Sequence, residues 1–139
     1  MNCHTIFYLA KKTSLCEKTL KKELEAVEFK STKTFFATTP QQLGENLISS
    51  LAETNMVITV GGLFSADNQG IEKVLSKALS HNPPQDVKKL RNKLSDYDGY
   101  IIRQDCQVIL VLPDEPDEIS DIFSGPLKEY LQKFSQIQN

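Results

Sequence analysis

The chain has 139 residues, the length of a single domain. Apolar residues make up 40% and charged ones 24%, the proportions of a globular protein with a core to bury. The formal net charge of -2 argues against a nucleic-acid-binding protein, which normally presents a basic face.

No apolar run approaches the ~20 residues of a membrane span. The opening "MNCHTIFYLAKK" has no basic stretch ahead of its short apolar segment, so it does not read as a secretion signal. Cys3, Cys16 and Cys106 stand at unrelated spacings and read as reduced thiols of a cytoplasmic protein. With no CxxC pair and with His4 and His81 as the only histidines, the pattern does not point to zinc.

In chain order, Thr5 to Leu9 predicts a first strand. Leu20, Leu24 and Val27 recur at helical spacing among lysines and glutamates. Phe29 to Ala37 is β-branched and aromatic without a helical period, and predicts a second strand. Thr39-Pro40 is a helix start, and Leu43, Leu47 and Leu51 mark its apolar face as far as about Glu53. Met56 to Val60 is apolar throughout, the habit of a parallel strand covered on both faces. The order βαβαβ is that of a doubly wound α/β domain.

Beyond Gly61-Gly62, Ser65 or Asp67 is the expected cap of a helix with Ile71, Val74, Leu75, Ala78 and Leu79 as its stripe. Asn82-Pro83-Pro84 is expected to end it. Val87, Leu90 and Leu94 predict a shorter amphipathic helix, and Ser95 to Gly99 a turn. On that helix Lys88, Lys89, Arg91 and Lys93 read as a solvated face. Tyr100 to Ile102 and Gln107 to Leu112 predict a hairpin about Arg103 to Asp105, so that one strand of the sheet runs antiparallel. Pro116 starts a helix through Phe123, and Gly125-Pro126 a last one with Leu127, Tyr130, Leu131 and Phe134 inside. Gln136 to Asn139 is expected to fray. The fold class expected is a three-layer α/β/α sandwich, one domain over residues 1–139.

In such sheets ligands bind beyond the carboxyl ends of the strands. Two ends stand out: Gly61-Gly62-Leu63 after the third strand and Pro113 to Pro116 after the hairpin. Bare backbone lets a ligand approach, and a following helix offers N–H groups to an anion. A tight turn explains the glycines equally well. They are neither a dinucleotide fingerprint nor a P-loop. No serine lies in a nucleophile elbow. Tyr97 and Tyr100 flank Gly99, either covering a ring-shaped ligand or packing at a rim. Asp67, Asp114, Glu115, Asp117 and Glu118 offer oxygen ligands to a hard cation, with Asp67 and Asp114 the weak metal candidates. The last four also suit a helix start for its dipole alone.

Taken together, "NMVITVGGL" and "GYIIRQDCQVILVLPDEPDEISDIFSGPLKEYL" resemble the molybdopterin-binding domain family. That family holds the molybdenum cofactor biosynthesis proteins and the amino-terminal domain of competence- and damage-inducible protein A. Leu112, Pro113, Pro116 and Glu118 fall on its Leu-Pro-Gly-x-Pro-x-Glu motif, with Pro126 and Leu127 in the motif's tail. The resemblance implies molybdopterin or a nucleotide with magnesium as ligand, and adenylyl transfer or pyrophosphate hydrolysis as chemistry. The implied site is Gly61, Gly62, Leu63, Asp67, Pro113, Asp114, Pro116 and Glu118.

The departures fall on the same site. Phe64 and Asp114 stand where the family has glycines, and Ala10 to Thr13 replaces its opening Gly-x-Glu. The stretch before the hairpin keeps at most Gly99. Neither Gly61 to Glu72 nor Gln104 to Leu127 contains a lysine, arginine or histidine, so a phosphate ligand would meet carboxylates without a cation from either loop. Two readings follow. The first is a non-catalytic binding or regulatory module acting through a protein partner or as a homo-oligomer. The second is a magnesium-dependent enzyme.

Overall fold

The computed structural model describes residues 1–63, 70–80, 84 and 86–138, the side chains of 137 and 138 excepted. Six strands form one sheet: β1 (Asn2–Tyr8), β2 (Lys30–Ala37), β3 (Met56–Val60), β4 (Asp86–Leu90), β5 (Gly99–Gln104) and β6 (Gln107–Leu112). Their order across the sheet is β2-β1-β3-β6-β5-β4. The β1, β2, β3 and β6 strands run parallel, while β5 is antiparallel to both β6 and β4. Hence β4 points the same way as the first four, and β5 is the one reversed strand, as the hairpin predicted.

Side-chain alternation sends each strand's apolar residues to two helix layers. On one face, Phe7, Ile58 and Leu110 pack under α1 (Thr13–Ala26), α4 (Pro116–Phe123) and α5 (Pro126–Gln138), through Leu20, Ile119 and Leu131. On the other, Ile6, Val57 and Ile109 pack under α2 (Pro40–Glu53) and α3 (Ile71–Ala78), through Leu47 and Leu75. All five residues of β3 are buried, which is why its sequence shows no alternation. The result is the expected three-layer α/β/α sandwich.

Local signals hold where the chemistry is local. The Thr39 side chain accepts a hydrogen bond from the Gln42 amide at 3.2 Å, capping α2 ahead of Pro40. Pro116 opens α4 with Glu115 at the cap position.

Four expectations need correction. Val87, Leu90 and Leu94 do not share a helix. Asp86 to Leu90 is a strand, paired with β5 from Asp86 opposite Arg103 to Leu90 opposite Gly99. Three apolar residues mimic a helical period by chance, and pairing with a neighbouring strand outweighs it. The lysines once read as a helix face therefore flank a sheet edge. The α3 helix takes Gly70 as its cap, while Ser65 and Asp67 lie outside the described residues. It ends at Ala78, before the proline pair, of which only Pro84 is described. The α5 helix continues to Gln138 instead of fraying at Gln136.

Candidate functional site

Because β1, β2, β3, β6 and β4 share a direction, their carboxyl ends lie along one rim of the sheet. The residues after Tyr8, Val60, Leu90 and Leu112 meet there. At the rim β3 and β6 stay joined one residue beyond the strands, the Gly61 amide donating to the Leu112 carbonyl at 3.0 Å.

Both glycines adopt left-handed backbone, with φ of 101° at Gly61 and 79° at Gly62. A Cβ on Gly61 would sit 2.3 Å from the Tyr8 carbonyl oxygen, and one on Gly62 2.6 Å from Cδ2 of the Tyr8 ring. The bare backbone is thus required by the end of β1, whose fully buried tyrosine lies against it. The Gly62 carbonyl accepts from the Ile71 amide at 3.2 Å and ties the turn to α3. Leu63 is half-buried against the core beneath α2 and α3. Asp67 lies outside the described residues.

On the other loop Pro113 is buried, and Asp114 is only 2% exposed. The Asp114 carboxylate faces inward and accepts from the Lys11 amide at 3.0 Å. Glu115 pairs with the Lys12 ammonium at 2.8 Å. That contact, by hydrogen bond and by charge, holds the lysine's pKa above its ordinary value. Pro116 begins α4, and the exposed Asp117 follows it. Glu118 is buried and accepts from Asn92 Nδ2 and, at 2.6 Å, from the Ser95 hydroxyl. Asn92 Nδ2 also donates to the Tyr97 carbonyl at 3.0 Å, so Glu118 anchors the 91–98 turn. Tyr100 lies on the α3 side of the sheet, where burial first and a bond to Glu72 second raise its phenol's pKa.

Four residues that contact the candidate site were given no site role by the sequence: Lys11, Lys12, Asn92 and Ser95. The first two were findable, since they follow β1 directly at its carboxyl end. The expectation of no cation concerned only the Gly61 to Glu72 and Gln104 to Leu127 stretches. The two loops named above supply none, but a third loop brings Lys12 to Glu115.

The carboxylates do not converge. Asp114 turns to the loop after β1, Glu115 to Lys12, and Glu118 to the turn before β5. Among the described residues no group of three histidines, cysteines or acids is placed to hold a metal ion. Asp114, Glu115 and Glu118 are each bonded within the chain, and no chemical step is assigned to a metal held by them. Cys16, fully buried on α1, has its thiol pushed up to about 11, by burial first and by nearby Asp114 and Glu115 next. It stays protonated and unreactive near neutral pH.

No protein-family model and no curated protein sequence matches the chain. Solved structures do. The protein CinA from Thermoplasma acidophilum, described as of unknown function, superposes with a TM-score of 0.74 at 13% identity, covering 92% of this chain and 96% of that one. The molybdopterin biosynthesis enzyme MoaB from Thermus thermophilus gives 0.67 at 11% identity, over 95% and 96%. The molybdopterin biosynthesis Mog protein from Mycobacterium ulcerans gives 0.68 at 16% identity, over 96% and 99%. Over almost its whole length, the chain has the fold shared by CinA and the molybdopterin biosynthesis proteins.

Proposed function

We propose that this chain is a divergent molybdopterin-binding-like domain, a single unit over residues 1–139, that has given up catalysis. On this reading it is a cytoplasmic binding or regulatory module. It works through a protein partner or as a homo-oligomer, without nucleic acid or membrane. The observation that carries the reading is the closure of the β1–α1 loop onto the loop before α4. There Lys11 and Lys12 engage Asp114 and Glu115 at 3.0 and 2.8 Å. Groups that would address a ligand are bonded to the chain itself, and the tyrosine of β1 rests on Gly62. Among the described residues no helix is long and apolar enough to cross a membrane.

The alternative is a magnesium-dependent enzyme of adenylyl transfer or pyrophosphate hydrolysis. One observation favours it: Lys11 and Lys12 are exposed at the rim and bring positive charge to it. A carboxylate ~4 Å from a phosphate repels it by ~1 kcal/mol in water and ~4 kcal/mol at an effective dielectric of 20. Lys12 offsets only one such carboxylate. Calorimetric titration with molybdopterin, ATP and ADP-ribose, with and without magnesium, separates the readings. The module reading expects no binding tighter than roughly millimolar in either condition. Micromolar binding that requires magnesium would favour the alternative, and micromolar binding without it would overturn the repulsion argument.

A further inference from the structure

Among the described residues the sheet ends at β4. The β4 strand is last in the sheet order, so one side of its backbone has no strand partner among the described residues. Apolar surface remains on both of its faces. On the α3 side Val87 is 54% exposed. On the α5 side a groove of about 440 Å3 runs between β4 and α5, floored by Leu90, Ile101, Ile122 and Leu127.

The rim of that groove is cationic. Lys88, Arg91, Lys93 and Lys133 line it. Among the described residues none of these four side chains has an acid within ion-pair distance, whereas neighbouring Lys89 reaches Asp98 at 3.8 Å. The facing acids are Asp121 and Glu129, and the Asp121 carboxylate accepts from the Lys93 amide at 3.3 Å. A chain of net charge -2 thus concentrates unpaired positive charge along one sheet edge.

Edge lysines discourage pairing between two copies, because the same charges would face each other. They do not discourage a strand of opposite charge. We propose that β4 and its groove form a docking site for an extended peptide of a different protein, rich in acidic residues alternating with apolar ones. Backbone hydrogen bonds extend the sheet, and because alternate side chains of a strand point to opposite faces, the apolar ones cover Val87 on the α3 side while the carboxylates pair with the cationic rim on the α5 side. This rests on the reading of the chain as a binding module and gives that reading a surface. It does not depend on whether the glycine rim binds a cofactor.

The test uses a labelled, end-capped peptide alternating glutamate with isoleucine, about as long as β4, titrated by fluorescence anisotropy at low and high salt. Saturable binding that weakens with salt is expected. Lys88→Glu with Lys133→Glu should weaken it at least about tenfold. A lysine-for-glutamate peptide should show the reverse preference. Both substitutions are at exposed positions, and circular dichroism checks folding. Should the variant fail to fold, the ligand gives a second measurement: N-methylating alternate amides of the peptide should abolish binding to the unaltered chain. Equal binding of oligoglutamate or of a single-stranded oligonucleotide would overturn the proposal, as would indifference to N-methylation or no binding at all. Dimerisation that buries the β4 edge, seen by sedimentation, would also overturn it in favour of a second copy. Because molybdopterin and nucleotides are titrated separately, failure here and failure of the rim reading remain distinguishable.

Discussion

Gly61 and Gly62 answer to different atoms of one residue. At Gly61 an added Cβ meets the backbone oxygen of Tyr8, which cannot move without disturbing β1. At Gly62 it meets a side chain, Cδ2 of the buried Tyr8 ring, with Ile71 Cβ at 3.3 Å. Both positions also carry the strain of a left-handed backbone, of order 1–3 kcal/mol for a non-glycine residue. Gly62→Ala should therefore destabilise by about 1–3 kcal/mol, and Gly61→Ala by more, in urea unfolding. Equal and negligible costs would mean the turn is free to rearrange. His4 is a second residue with a legible consequence. It is buried on β1, with Nδ1 2.9 Å from the Ser50 hydroxyl and Nε2 3.5 Å from a Glu53 oxygen that also pairs with Lys33. The tautomer that serves both neighbours carries its proton on Nε2 and accepts from Ser50 at Nδ1. Burial holds the imidazole below its ordinary pKa of 6.5, against the opposing pull of Glu53. A lowered folded pKa means that the unfolded chain takes up the proton first. The contribution is thus whole above pH 6.5 and drains away as pH falls below it. Denaturant midpoints from pH 8 to 5 should decline through that window in the parent and stay flatter in His4→Gln. Parallel curves would show that His4 is protonated equally in both states.

At the scale of elements, the decisive strand is β3. It is hydrogen-bonded between β1 and β6 and buried on both faces, so neither face can relax into solvent. Truncating Ile58, fully buried under the α1, α4 and α5 layer, should cost ~2–5 kcal/mol by thermal or chemical unfolding. A loss under ~0.5 kcal/mol would contradict a central position for the strand. The other informative element is β4. Of its five residues only Leu90 is buried, and it stands between Lys88-Lys89 and Arg91. So small an apolar signal does not distinguish a strand from a helix. The choice was made by β5, whose free edge offered a ladder of backbone partners.

For the whole molecule, the sandwich was legible because both of its layers leave a local trace. Continuous apolar runs mark strands covered twice, 3.6-residue stripes mark the helices that cover them, and Thr39-Pro40 and Pro116 mark where helices begin. Those signals require only near neighbours in the chain, so one sequence determined five of the six strands, the one reversed strand and the two helix layers. The site was legible only in part. Gly61, Gly62 and the Pro113 to Glu118 stretch stand out as candidates by their own residues. The groups that engage them were not, because the Lys11 amide and Asp114 are 103 positions apart, and so are Lys12 and Glu115. Which carboxylate faces which loop depends on strand order across the sheet, a product of long-range packing that leaves no period in the sequence. The sequence by itself therefore determined the elements other than β4, and the glycine turn at the end of β3. Only the tertiary structure decided that the turn is bare for Tyr8, that Asp114, Glu115 and Glu118 are engaged by the chain itself, and that the lysines of β4 stand on the last strand of the sheet among the described residues.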